Sequence, residues 1–330
     1  MTERAGRNLG LDLVRVTEAA ALAAGRWMGR SRKEACDEAA VRAMRLILAT
    51  VDMAGVIVIG EGEKDAAPML FNGESVGTGR GPRMDVAVDP IDGTSLLACG
   101  RPDAIAVIAV APRGSMWSPG PAFYMSKLVV GRDAREAITP ASLDAPVPDL
   151  LARIAEAKRE HVRDLTVFVL DRPRHAGIIA DVQAAGARLV LRTDGDILGA
   201  LLAATPGSGV DVLMGIGGTP EGVISACAVR ALGGAMVGRL APQKPGEREA
   251  VEAAGIDPRR TLTEGDLVAS EDVFFAATGI TDGVLMPGVR YASDGATTDS
   301  IVIRGRSGTR RTIHADHRLD KLMKLSPIEY

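Results

Sequence analysis

Beyond about Pro140 the chain settles into a regular alternation of short apolar runs and segments of helical period, which leaves few folds open to it. Residues 165–170 read as a strand, 174–185 as a helix closed by Gly186, and 187–192 as the next strand. A strand–helix–strand unit of this kind implies a parallel pair. A helix over about 196–204, a strand at 210–214, a helix over about 220–232 and a strand at 235–237 continue the pattern. The second half therefore reads as a parallel or mixed α/β layer. Pro140 to Pro148 is the one plausible seam with what precedes it.

The first half is less regular. Helical spacing predicts a helix over 11–28, and Ser31 followed by Glu34 has the form of a capping box opening a second helix that runs to about 51. Asp37 then lies in its first or second turn. Residues 56–59, 84–88 and 104–111 are apolar strand candidates, with 128–130 a possible fourth. Residues 243–255 read as an exposed polar loop and helix.

With 330 residues, 46% hydrophobic and only 3% aromatic, the core must be built from Ala, Val, Leu and Ile, with twelve Met to fill gaps. A net charge of −3 gives no electrostatic reason to expect nucleic acid or an anionic membrane as partner. No segment reads as a signal peptide or a bilayer span. Cys36, Cys99 and Cys227 are far apart and unpaired in spacing, which suits small core residues in a reducing, cytoplasmic setting.

Chemistry collects where the strands end. Asp89-Pro90-Ile91-Asp92-Gly93-Thr94 follows the apolar run 84–88: Pro90 should stop the strand, and a helix can begin at Gly93 and Thr94. Hard divalent cations want oxygen ligands, and the first amides of a helix suit phosphate. Glu61, Arg172, Asp194 and Glu221 also follow apolar strands on their C-terminal side, where ligands of open α/β sheets bind. Asp37, Glu61, Asp89, Asp92 and Glu221 are the candidate metal ligands, since two or three Mg²⁺ or Mn²⁺ ions would offset their repulsion. Zinc suits the chain less. His314 and His317 lack Cys or Glu partners, and His161 and His175 carry no separate signal.

For phosphate, Arg172-Pro173-Arg174 offers two guanidinium groups at a strand exit, or else a solvated basic turn. Gly215-Ile216-Gly217-Gly218-Thr219 can bring backbone amides to a ligand, and Gly77-Thr78-Gly79-Arg80-Gly81 reads equally as a connection. Asp194-Gly195-Asp196 can accept from sugar hydroxyls or cap the next helix. No nucleophilic triad is present. Thr94 is the hydroxyl placed to orient a water for attack on phosphorus, with Glu63 and Asp65 as either helpers or surface acids.

These motifs resemble the class II fructose-1,6-bisphosphatases, within the Li⁺-sensitive, metal-dependent sugar phosphatases. The resemblance spans nearly the whole chain. It is carried by Arg15-Val16-Thr17-Glu18, Ile59-Gly60-Glu61-Gly62-Glu63, residues 89–94, Arg172-Pro173-Arg174-His175, Gly215-Ile216-Gly217-Gly218 and Ala277-Thr278-Gly279-Ile280-Thr281.

It implies a layered αβαβα sugar-phosphatase fold with mixed sheets, and a homodimer or homotetramer. It implies one domain over 1–330, with a metal-binding half at about 1–145 and a sugar-phosphate half at about 146–330. The family's metal ligands fall on Asp37, Glu61, Asp89, Asp92 and Glu221. Its substrate contacts fall on Asp92, Gly93, Thr94, Tyr124, Arg172, Pro173, Arg174, Asp194, Gly195, Asp196 and Gly218, and its water-positioning threonine on Thr94. Some members have Glu in place of Asp92. The activity implied is removal of the 1-phosphate of fructose 1,6-bisphosphate in gluconeogenesis. A sedoheptulose-1,7-bisphosphatase of a carbon-fixing cycle, alone or with dual activity, is the alternative; a non-catalytic sugar-phosphate sensor is the reading from another class.

Overall fold

The computed structural model describes residues 8–61, 69–325, 328 and 330. The chain opens with α1 (Gly10–Gly25) and α2 (Lys33–Leu48), then β1 (Ala54–Ile59), β2 (Ser75–Val76), β3 (Arg83–Asp92), the one-turn helix α3 (Thr94–Ala98), β4 (Ile105–Pro112) and β5 (Tyr124–Val130). The alternating segment supplies α4 (Val147–Lys158), β6 (Thr166–Leu170), α5 (Ala176–Ala184), β7 (Arg188–Arg192), α6 (Asp196–Ala204), β8 (Val212–Gly218), α7 (Thr219–Leu232) and β9 (Ala235–Leu240). There follow α8 (Glu247–Ala253), β10 (Thr261–Thr263), α9 (Glu264–Leu267), β11 (Phe274–Gly279), β12 (Arg290–Tyr291), β13 (Gly295–Arg304), β14 (Thr309–Arg318) and α10 (Leu319–Leu325).

Two mixed sheets result. The first runs β12-β13-β11-β4-β3-β1-β2 with β14 added to β13; the second runs β10-β9-β5-β8-β6-β7. In the second, β6 lies parallel to both β7 and β8, as the strand–helix–strand pattern implies. Period-two alternation then sorts side chains into layers. Val86, Val88, Ala106, Ile108 and Val110 pack under α1 and α2, while Ala87, Val107 and Ala109 of the same strands face α6 and α7. Val129, Phe168 and Leu213 meet α6 and α7 from the second sheet. Their neighbours Leu128, Val130, Val167, Val169 and Val212 pack on the far side with Leu151 and Ile154 of α4 and Val182 of α5. The order is αβαβα.

Gly199 lets α6 sit tightly in the middle layer, since a Cβ there would stand 2.6 Å from Phe168. Small residues fill this layer, which is why so few aromatics suffice.

Three local readings are corrected. The Ser31 capping box does not form: Arg32 is the N-cap with no side-chain bond, and Ser31, at φ 55°, turns its amide to the Ala98 carbonyl at 2.8 Å. Pro90 does not stop β3. Asp89 pairs with Val107 and Asp92 with Ile105, so one extra residue is accommodated in a bulge, where a missing amide costs the ladder little. Cys99 is exposed, whereas Cys36 and Cys227 are buried. Among the described residues no helix is long and apolar enough to cross a membrane.

Candidate active site

The bulge in β3 positions the site. Residues three apart on a regular strand face opposite ways; the extra residue brings Asp89 and Asp92 round to the same, middle-layer side. Asp92 is buried and accepts the Leu198 amide of α6 at 2.8 Å, and Asp89 accepts the Ile91 amide at 3.0 Å. Glu61, two residues beyond β1, and Glu221, in the first turn of α7, approach the same point. Glu61, Asp89 and Glu221 line one cleft of about 190 Å³ with Asn72, Phe123 and Pro220.

Burial pushes the Asp89 carboxyl well above the usual range, and the charges of Asp92, Glu61 and Glu221 push it further. Asp92 is raised as well, by burial first; the Leu198 amide opposes this, while Asp194, Asp196 and Glu221 reinforce it. So many carboxylates cannot all ionise together without a countercharge. Among the described residues no three of them are drawn together tightly enough to grip a metal ion as they stand. The donor chemistry nonetheless fits hard divalent cations: all oxygen, acidic, and crowded at one cleft. Gly218 adds to the fit, because a Cβ at that position would collide with the Glu221 carboxylate.

Asp37 joins through Thr94. The Thr94 hydroxyl donates to Asp37 Oδ1 at 3.0 Å, with the Ile91 carbonyl at 3.3 Å as its other acceptor. Thr94 opens α3 behind Gly93, whose φ of 96° only glycine adopts readily. The Ser95 amide is engaged by Asp194 Oδ2 at 3.4 Å. Asp194 therefore does not cap α6; Gly195, at φ 91°, holds the N-cap position without a side-chain bond. Glu63 and Asp65 lie outside the described residues.

A second group of residues forms on the second sheet. Tyr124 and Gly218 pair across β5 and β8, and Arg174 lies over the Tyr124 ring at 5.5 Å. Both Nε and Nη2 of Arg174 donate to the Ile216 carbonyl, at 3.1 and 2.8 Å. Pro173 opens a single 3₁₀ turn, and Arg172 is exposed, its backbone closing that turn.

Three residues that the sequence reading passed over hold this site together. His175 is buried, with Nδ1 at 2.6 Å from the Leu170 carbonyl and Nε2 accepting the Ile216 amide at 2.7 Å, which assigns the neutral Nδ1–H tautomer. Glu247, in the stretch expected to be exposed, is buried and accepts the amides of Phe123, Tyr124, Gln243 and Lys244. Lys127, only 1% exposed, bonds the Asp196 carboxylate and, at 2.6 Å, the Gly218 carbonyl. Its signal was present: a lone lysine beside the apolar run 128–130, sharing a strand face with Met125 and Val129. His314 and His317 bond Asp299 and Thr298 respectively.

A layered αβαβα fold with an acidic cleft at its strand ends, next to a basic and aromatic turn, is the arrangement that the resemblance to the metal-dependent sugar phosphatases implies. The family described as bacterial fructose-1,6-bisphosphatase, glpX-encoded, matches residues 7–317. The chain is 45% identical over 328 residues to fructose-1,6-bisphosphatase 1 class 2 of Escherichia coli K12, covering 96% of each chain. The class 2 enzymes of E. coli O6:H1 and Shigella flexneri are similar to the same extent. The chain belongs to the class II, glpX-type fructose-1,6-bisphosphatase family, whose members are metal-dependent.

Proposed function

We propose that the chain hydrolyses the 1-phosphate of fructose 1,6-bisphosphate to fructose 6-phosphate and phosphate, as a step of gluconeogenesis. The observation that carries this reading is the acidic cleft of Glu61, Asp89 and Glu221 in a chain that matches class 2 fructose-1,6-bisphosphatases over nearly its whole length. Asp37, Glu61, Asp89, Asp92 and Glu221 would hold Mg²⁺ or Mn²⁺, both hard and oxygen-seeking. When bound, such ions polarise the phosphoryl oxygens and stabilise charge on the departing and attacking groups.

The remaining work falls to the chain's own residues. Thr94, anchored through Asp37, orients the attacking water. Gly93 and Thr94 hold the reacting phosphate; Tyr124 and the turn of Arg172, Pro173 and Arg174 hold the distal one. Asp194, Gly195, Asp196 and Gly218 contact the sugar. In this reading one domain divides at about residue 145 into a metal-binding and a sugar-phosphate half, and the protein works in the cytoplasm as a homodimer or homotetramer.

The test is phosphate release by the purified protein with Mg²⁺ or Mn²⁺ from fructose 1,6-bisphosphate, sedoheptulose 1,7-bisphosphate and inositol monophosphate. The specificity constant should be highest for the fructose substrate. A higher value for the sedoheptulose substrate would reassign the enzyme to a carbon-fixing cycle. Tight binding with no phosphate release would make it a sensor.

A further inference from the structure

We propose that Lys127 is a positioning residue that locks the sugar-binding segment 194–196 to the turn carrying Glu221, so that a single buried ammonium sets both substrate and cation affinity; this rests on the site reading above. Three independent features carry it.

Lys127 lies on β5 with its ammonium enclosed in the middle layer, bonded to Asp196 at the first position of α6 and to the Gly218 carbonyl at the N-cap of α7. The backbone is also cut away around the lock. A Cβ at Gly217 would collide with the Asp196 carboxylate and one at Gly218 with the Glu221 carboxylate. Both carboxylates thus rest against the end of β8, whose final carbonyl Lys127 holds.

The third feature is the position of α6, whose Leu198 amide donates to Asp92 at 2.8 Å. Fixing Asp196 therefore fixes the donor to a candidate metal ligand as well. Stability alone gives no reason for the pair, because a buried ion pair is commonly no better than well-packed apolar residues of similar volume. Removing one partner, by contrast, strands the other charge.

Lys127→Met and Lys127→Gln test this by steady-state kinetics on fructose 1,6-bisphosphate, calorimetric titration of the substrate-free protein with Mn²⁺, and thermal unfolding. For a folded Lys127→Met, KM and the Mn²⁺ dissociation constant should both rise about tenfold, with kcat changing less. Lys127→Gln should fall between, since its amide still donates to Asp196 or Gly218, and it decides the matter if the Met variant does not fold. Unchanged KM and Mn²⁺ affinity alongside a lowered Tm would overturn the proposal, leaving Lys127 a structural residue. Tighter Mn²⁺ binding, the result of added negative charge without misplacement, would overturn it too. Absence of any phosphate release by the wild-type protein would instead overturn the site reading, and the Mn²⁺ titration would still report on Lys127.

Discussion

A missing carbon atom and a hydroxyl define the site at the scale of single residues. Gly218 has an ordinary φ of −69°, so Gly218→Ala meets no backbone strain; its methyl group meets the end of the Glu221 side chain instead. We expect that variant to unfold within a few degrees of the wild type while binding Mn²⁺ at least tenfold more weakly, as read by calorimetry. Thr94→Ala keeps the shape of the α3 entry but removes the group donating to Asp37. Turnover should fall on the order of 100-fold with KM little changed, and near-normal turnover would remove Thr94 from the mechanism. Thr94 was singled out because it follows an apolar strand, whereas Gly218, within the glycine-rich run 215–219, was singled out only through the family resemblance. Lys127 was not singled out: its place on the apolar face of Met125 and Val129 marks it for burial, but which groups its ammonium meets depends on α6 and α7, distant in sequence.

Elements are joined by buried polar groups where the sequence suggested solvent. Glu247 turns the start of α8 into an anchor for the backbone at Phe123 and Tyr124, which carries one end of the site. Burial pushes its carboxyl up, but four backbone amides together outweigh that and hold it below the usual range. Its contribution is present above the unfolded value and lost as pH falls through the folded one. Glu247→Gln sets an amide group against those donors and should cost about 2 kcal/mol by denaturant unfolding at neutral pH.

The opposite sign holds for Glu18 on α1. It is 8% exposed, accepts the Thr298 hydroxyl at 3.3 Å, and burial pushes it up to about 7. The stability it contributes is full below the unfolded value and lost as pH rises through about 7. Relative to the wild type, Glu18→Gln should therefore gain in Tm between about pH 5 and pH 8. Thr17 beside it bonds Thr278 at 2.7 Å, joining two of the motifs that carry the family resemblance. From residue 165 to 237 the helices and strands were legible from period alone, whereas α4 was not read from the sequence. The β3 bulge and the failed Ser31 cap were not, because pairing with β4 and a bond to Ala98 override local preference.

At the scale of the whole molecule, acidic groups crowd one cleft between apolar layers. Asp89 and Asp92 are raised by burial and further by neighbouring carboxylates, so any cation that relieves them binds the folded chain in preference to the unfolded one. Mn²⁺ at about 100 times its dissociation constant should stabilise the protein by roughly 2.7 kcal/mol, and a chelator should return Tm to the metal-free value. No shift in scanning calorimetry would count against the cleft as a cation site. The five layers were expected from the resemblance rather than from pattern, since periodicity shows strands but not the sheet each will join. That order has a cost during synthesis. β4 lies between β3 and β11, yet β11 emerges from the ribosome roughly 160 residues later, on the order of 10–30 s at usual elongation rates. Throughout that interval the wholly apolar run of β4 offers an unpaired edge, so a nascent chain arrested after β5 is the form of this protein most in need of a chaperone.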